Sequence, residues 1–157
     1  MKNKFSERSG IKEASVSTYI IYGLISCAVA FLLTLLFNIT GLTEIESFQN
    51  ASDSLMDVGD NTVILILLYC IVTPLFEEIL FRFFLFDIIL HFSKNAVVSV
   101  ILTAAIFGIY HLNPVQMLYG FLMGLLITLA YYRYRKLSLV FLMHSLANLV
   151  ALIYTLS

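Results

Sequence analysis

TVILILLYCIVTPLFEEILFRFFLFDIILHF, residues 62–92, decides which solvent this chain folds in. The run is apolar on every side, with no alternation of period two and too few polar residues to give a helix a wet face. As a helix of about 30 residues it would be about 45 Å long, more than one straight crossing of a bilayer core requires. Pro74 near its middle is expected to kink or divide it. Glu77, Glu78, Arg82 and Asp87 interrupt it, and each such group near mid-bilayer costs roughly 2.5 to 3.5 kcal/mol on insertion scales. Groups that costly are kept where they face a protein interior or a water-filled cavity and serve a function.

Outward from this run the pattern repeats. An apolar stretch of about 20 residues ends at Ile39, and residues 96–110, 115–132 and 139–154 are further apolar runs, giving five crossings. The composition agrees: 61% hydrophobic and 12% charged, with mean hydropathy +0.96, where soluble domains carry about 25% charged residues. Lipid offers no partner to backbone N–H and C=O groups, and the alternation a barrel needs is missing. The expected fold is therefore all-α: one membrane-embedded domain over residues 1–157, a bundle of about five spans with the second kinked or broken. Gly120 and Gly124 match the small-xxx-small spacing that allows close helix approach.

A net charge of −1 and a pI near 6.3 leave no basic field for a nucleic-acid backbone. Cys27 and Cys70 lie in apolar runs without a C-x-x-C pair, which argues for small buried hydrophobes over a disulfide, redox or thiolate-metal site. Five crossings place the arm of residues 1–17, with Lys2, Lys4, Arg8 and Lys12, on one side together with Lys94, Arg133, Arg135 and Lys136. Residues 40–61, with Glu44, Glu46, Asp53, Asp57 and Asp60 and no Lys or Arg, read as an exposed acidic loop on the other. The positive-inside rule then makes this a multi-pass protein of the cell membrane with a cytoplasmic N-terminus.

Helical residues advance by about 100°, so Glu78 and Arg82 lie about 40° apart and can pair. Glu77 points about 100° away, free to face a reaction cavity as a base. Asp87 and His91, four apart near Lys94, are expected to form an interfacial pair. Phe107 and His111 are four apart before the Asn113-Pro114 break, and His144 and Asn148 are four apart in the last run. A carboxylate, an imidazole, and an imidazole with an amide on three helices suit hydrolysis by an activated water with an oxyanion site. Glu77, His111 and His144 could instead ligate Zn²⁺; the metal-free reading, with no cofactor, is preferred. A proton or ion pathway is a rival that leaves Asn148 unexplained.

Glu77-Glu78-Ile-Leu-Phe-Arg82, Phe107-Gly-Ile-Tyr-His111 and His144-Ser-Leu-Ala-Asn148, in this order, resemble the three motifs of the CPBP family, the CAAX proteases and bacteriocin-processing (Abi) enzymes. The resemblance covers about residues 62–155. It implies an intramembrane endopeptidase acting on a membrane-associated peptide or protein in the lipid bilayer. Glu77 and His111 would activate the water, His144 and Asn148 would form the oxyanion site, and Glu78, Arg82 and Phe107 would support them. It also admits a non-catalytic immunity or regulatory protein of the same fold. As straight rods, however, the predicted spans put His144 near the basic-side boundary and His111 near the opposite one.

Overall fold

The computed structural model describes residues 11–57 and 62–156; Lys2, Lys4, Arg8 and Asp60 lie outside them. Its helices are α1 (Val16–Ile39), α2 (Glu46–Asp57), α3 (Thr62–Ser93), α4 (Ala96–Tyr110), α5 (Pro114–Tyr134) and α6 (Leu137–Leu156). The described residues contain no strand. Four helices, α1, α3, α5 and α6, are long and apolar enough to cross a membrane; α4 is apolar but only 15 residues long. The chain is a multi-pass helical bundle, as its composition requires.

The packing is inside out relative to a water-soluble protein. Ser26, Ser99, Thr103, Thr128, Glu77, Glu78 and Arg82 are buried, whereas Leu24, Leu32, Phe76, Val97 and Ile153 are exposed. Such an arrangement is stable only where the surrounding solvent is itself apolar. Buried polar groups stitch helix to helix: the Ser26 hydroxyl of α1 donates to the Met143 carbonyl of α6 at 2.6 Å.

Of the kink or division expected at Pro74, division does not occur: helix α3 runs from Thr62 to Ser93. It contains instead two π-helical stretches, Leu67–Val72 and Ile79–Leu85, bracketing the α-helical Thr73–Glu78. Proline has no N–H, and its ring collides with the carbonyl four residues back. A widened turn before it lets the helix continue. Such turns recur at functional sites, and here they flank the two glutamates.

The segment read as an acidic loop is largely helical. A 3₁₀ turn (Leu42–Glu44) leads into α2, whose first turn carries Glu46, favourably placed at a helix N-terminus. Asn113 ties α2 to the bundle: its Nδ2 donates 2.7 Å to the Ser47 carbonyl, while its Oδ1 caps α5 by accepting from Val115 and Gln116 N–H. At the opposite pole Asp87 bonds Arg135, 2.6 Å away, so the pairing expected with His91 is not made. The Arg135 guanidinium also lies over the Phe86 and Tyr131 rings, and His91 sits edge-on to Phe92. An anion prefers a permanently charged, bidentate-capable guanidinium to an imidazole on its own helix.

Candidate active site

α3, α4 and α6 meet around Phe107. The Arg82 guanidinium lies 4.2 Å from the centre of its ring, and His111 and His144 stand edge-on to it at 5.0 and 5.6 Å. Phe81 closes a further side at 5.1 Å. Phe107 is thus a wall shared by both imidazoles and the buried cation. The separation in depth expected between His111 and His144 does not arise. At about 1.5 Å per residue α4 spans only about 22 Å, shorter than a full crossing, and His111 caps its C-terminal end beside the Phe107 ring.

Glu78 and Arg82 are fully buried and form an ion pair at 2.9 Å, as their four-residue spacing predicts. The contact is electrostatic more than directional: none of the three guanidinium nitrogens meets hydrogen-bond geometry with a protein acceptor. Glu78 does more than neutralise Arg82. The same oxygen, Oε1, lies 2.7 Å from His144 Nδ1. A carboxylate accepts, so Nδ1 carries a proton and the imidazole ring is held in one orientation. The other ring nitrogen, Nε2, lies 3.5 Å from Glu77 Oε2. Adjacent glutamates therefore grip opposite nitrogens of one imidazole, and Glu77 is engaged rather than free.

His111 Nδ1 donates 3.0 Å to the Phe107 carbonyl, which leaves Nε2 as its basic nitrogen. The ring rests on Gly120: a Cβ there would lie 3.2 Å from Cε1 and Nδ1. One turn on, a Cβ at Gly124 would lie 3.1 Å from the Phe107 ring. The two glycines therefore form the floor beneath Phe107 and His111. Gly108, which sequence reasoning passed over, faces the Met117 carbonyl so closely that a Cβ would come within 2.6 Å of it.

Asn148 projects from α6 one turn beyond His144, and its Nδ2 donates 2.9 Å to the Tyr69 carbonyl of α3. One amide proton is thereby committed to the protein. Among the described residues no group of three or more His, Cys, Asp or Glu side chains is arranged to hold a metal ion. Nδ1 of His144 faces Glu78 and Nδ1 of His111 faces the Phe107 carbonyl, which leaves the Nε2 atoms of both rings for chemistry, with Glu77 Oε2 3.5 Å from that of His144.

A buried carboxylate, guanidinium and imidazole set inside a multi-pass helical bundle defines a polar membrane site, where ionisable groups mark function. Residues 59–150 match the type II CAAX prenyl endopeptidase Rce1-like family, more than half of the chain, and the chain belongs to that family. It is a membrane protein with the fold of a CAAX-type intramembrane protease. No curated protein and no solved structure matches it.

Proposed function

We propose that this protein is an intramembrane endopeptidase that hydrolyses a peptide bond of a membrane-associated peptide or protein. The observation that carries the reading is the His144 imidazole held between Glu77 and Glu78, within a buried cluster closed by Arg82 and Phe107. Glu77, with the basic nitrogen of His111, takes a proton from a water as it attacks the scissile carbonyl. The developing oxyanion is stabilised by the second amide proton of Asn148 and by Nε2–H of His144, doubly protonated between its two carboxylates. Collapse of the tetrahedral intermediate breaks the C–N bond, and the proton held at Glu77 passes to the leaving amine. Glu78 and Arg82 hold His144 in place and neutralise the cluster.

Purified protein in lipid, offered a membrane-tethered peptide library, tests this. Glu77→Ala and His144→Ala should each lower cleavage by about 10²- to 10⁴-fold, the range for loss of a general base or an oxyanion donor. A chelator should leave the wild type active. Cleavage unchanged in Glu77→Ala sinks the glutamate mechanism, and loss to chelator that Zn²⁺ restores replaces it with a metal. A folded wild type that cleaves nothing favours an immunity or regulatory role.

A further inference from the structure

The backbone of α3 carries a hydrogen-bonding problem that α6 solves. At the end of the first π-helical stretch the Thr73 N–H donates to the Leu68 carbonyl, five residues back. In that register the Tyr69 carbonyl would receive its bond from residue 74, which is proline and has no N–H. Its donor in the α register would be Thr73, already bonded to Leu68. A carbonyl left without a donor in the interior of a membrane bundle is costly, because no bulk water compensates it. The donor comes from another helix: Asn148 Nδ2, 2.9 Å away.

We infer that Asn148 is a positioning residue that supplies the hydrogen bond Pro74 withholds from the Tyr69 carbonyl, and so locks the π register of α3 ahead of the glutamates. Pro74 stands three residues before Glu77 and four before Glu78. α6 consequently grips α3 twice, through His144 on the Glu78 carboxylate and through Asn148 on the Tyr69 backbone. The second grip fixes the rotation at which the glutamates meet His144. Anchoring is a property of the helix whether or not the site hydrolyses a peptide; its effect on turnover rests on the endopeptidase reading.

The test is a cycle of Pro74→Ala, which returns an N–H to residue 74, and Asn148→Leu, which removes the amide donor at similar size. Tyr69-Cys70 is the one Tyr–Cys pair in the sequence, so carbonyl-¹³C tyrosine with ¹⁵N cysteine gives a single resonance reporting the Tyr69 carbonyl. In Asn148→Leu that resonance should move toward the value of an unbonded carbonyl, and in the double variant it should return. The kcat for cleavage should fall about 10³- to 10⁴-fold in Asn148→Leu with KM little changed, because the oxyanion donor and the register are lost together, and recover about tenfold in the double variant, which restores the register alone. A Tyr69 signal indifferent to Asn148→Leu overturns the anchoring. A signal that recovers while kcat does not overturns the positioning role and leaves Asn148 acting on the reaction alone. If Asn148→Leu does not fold by itself, recovery of folded protein in the double variant is the expected result, and failure of both overturns the proposal. A wild type without cleavage activity fails the endopeptidase reading, and the carbonyl resonance then decides the anchoring alone.

Discussion

Glu77 and Glu78 are adjacent in sequence and both buried, yet their partners differ, and so should the consequences of losing them. Glu78 holds Arg82 and His144 through one oxygen. Glu78→Gln leaves a fully buried guanidinium without its anion, a loss on the order of 3–5 kcal/mol when one partner of a buried pair is removed. Glu77 touches only the edge of the cluster, 3.5 Å from His144 Nε2, and Glu77→Gln keeps the Glu78–Arg82–His144 chain intact. Thermal unfolding in lipid nanodiscs should therefore separate them: Glu78→Gln melts well below the wild type, and Glu77→Gln melts near it while losing cleavage. Equal melting temperatures for the two variants would contradict this division of labour. The four-residue spacings of the sequence foretold the Glu78–Arg82 pair. They could not foretell that Glu78 reaches across to His144, because that contact depends on how two helices 66 residues apart are juxtaposed.

At the scale of the element, what was legible followed the strength of the periodic signal. Apolar length alone revealed α1, α3, α5 and α6, and the Gly120/Gly124 spacing revealed a close approach. The π-helical stretches left no trace, since a run that is apolar on all faces carries no phase from which a change of register could be read; Pro74 was their one mark. α2 was hidden because its charges read as loop, although Phe48, Ala51 and Leu55 recur at helical spacing. The contact between α4 and α5 yields a graded prediction. Gly108→Ala drives a Cβ to 2.6 Å from a backbone carbonyl that cannot rotate away, and should cost about 1–3 kcal/mol as overpacking does. Gly124→Ala presses on Phe107 and the Ala104 backbone at 3.1 and 3.3 Å and should cost less. Gly120→Ala meets first the His111 ring and the Gly108 backbone, at 3.2 and 3.4 Å. It should leave the melting temperature nearest the wild type yet reduce cleavage about tenfold, by shifting an imidazole that the reaction uses. A melting-temperature series in another order would mean that this interface is set by something other than the three glycines.

Besides the polar contacts inside the bundle, two sets mark its poles. Lys12 N–H donates 2.9 Å to the Arg133 carbonyl, and Asp87 pairs with Arg135, which places the N-terminal segment, the end of α3 and the α5–α6 turn together. Ser47 of α2 and Asn113 of the α4–α5 turn meet at the other pole. Lys94, Arg133 and Lys136 are exposed at the first, and Glu44 and Glu46 at the second. If the positive-inside bias sets orientation, the first pole faces the cytoplasm, and α4 must carry the chain from one pole to the other despite its 15 residues. Single cysteines at Lys136 and at Glu46, in a background with Cys27 and Cys70 changed to Ala, separate the alternatives. With intact cells a membrane-impermeant thiol reagent should label Glu46→Cys at once, and Lys136→Cys only after the membrane is opened. The reverse pattern would invert the protein and place the Arg133–Lys136 turn outside. Labelling of both from outside would mean that the chain between them crosses an even number of times, with α4, at 15 residues, the helix that does not cross.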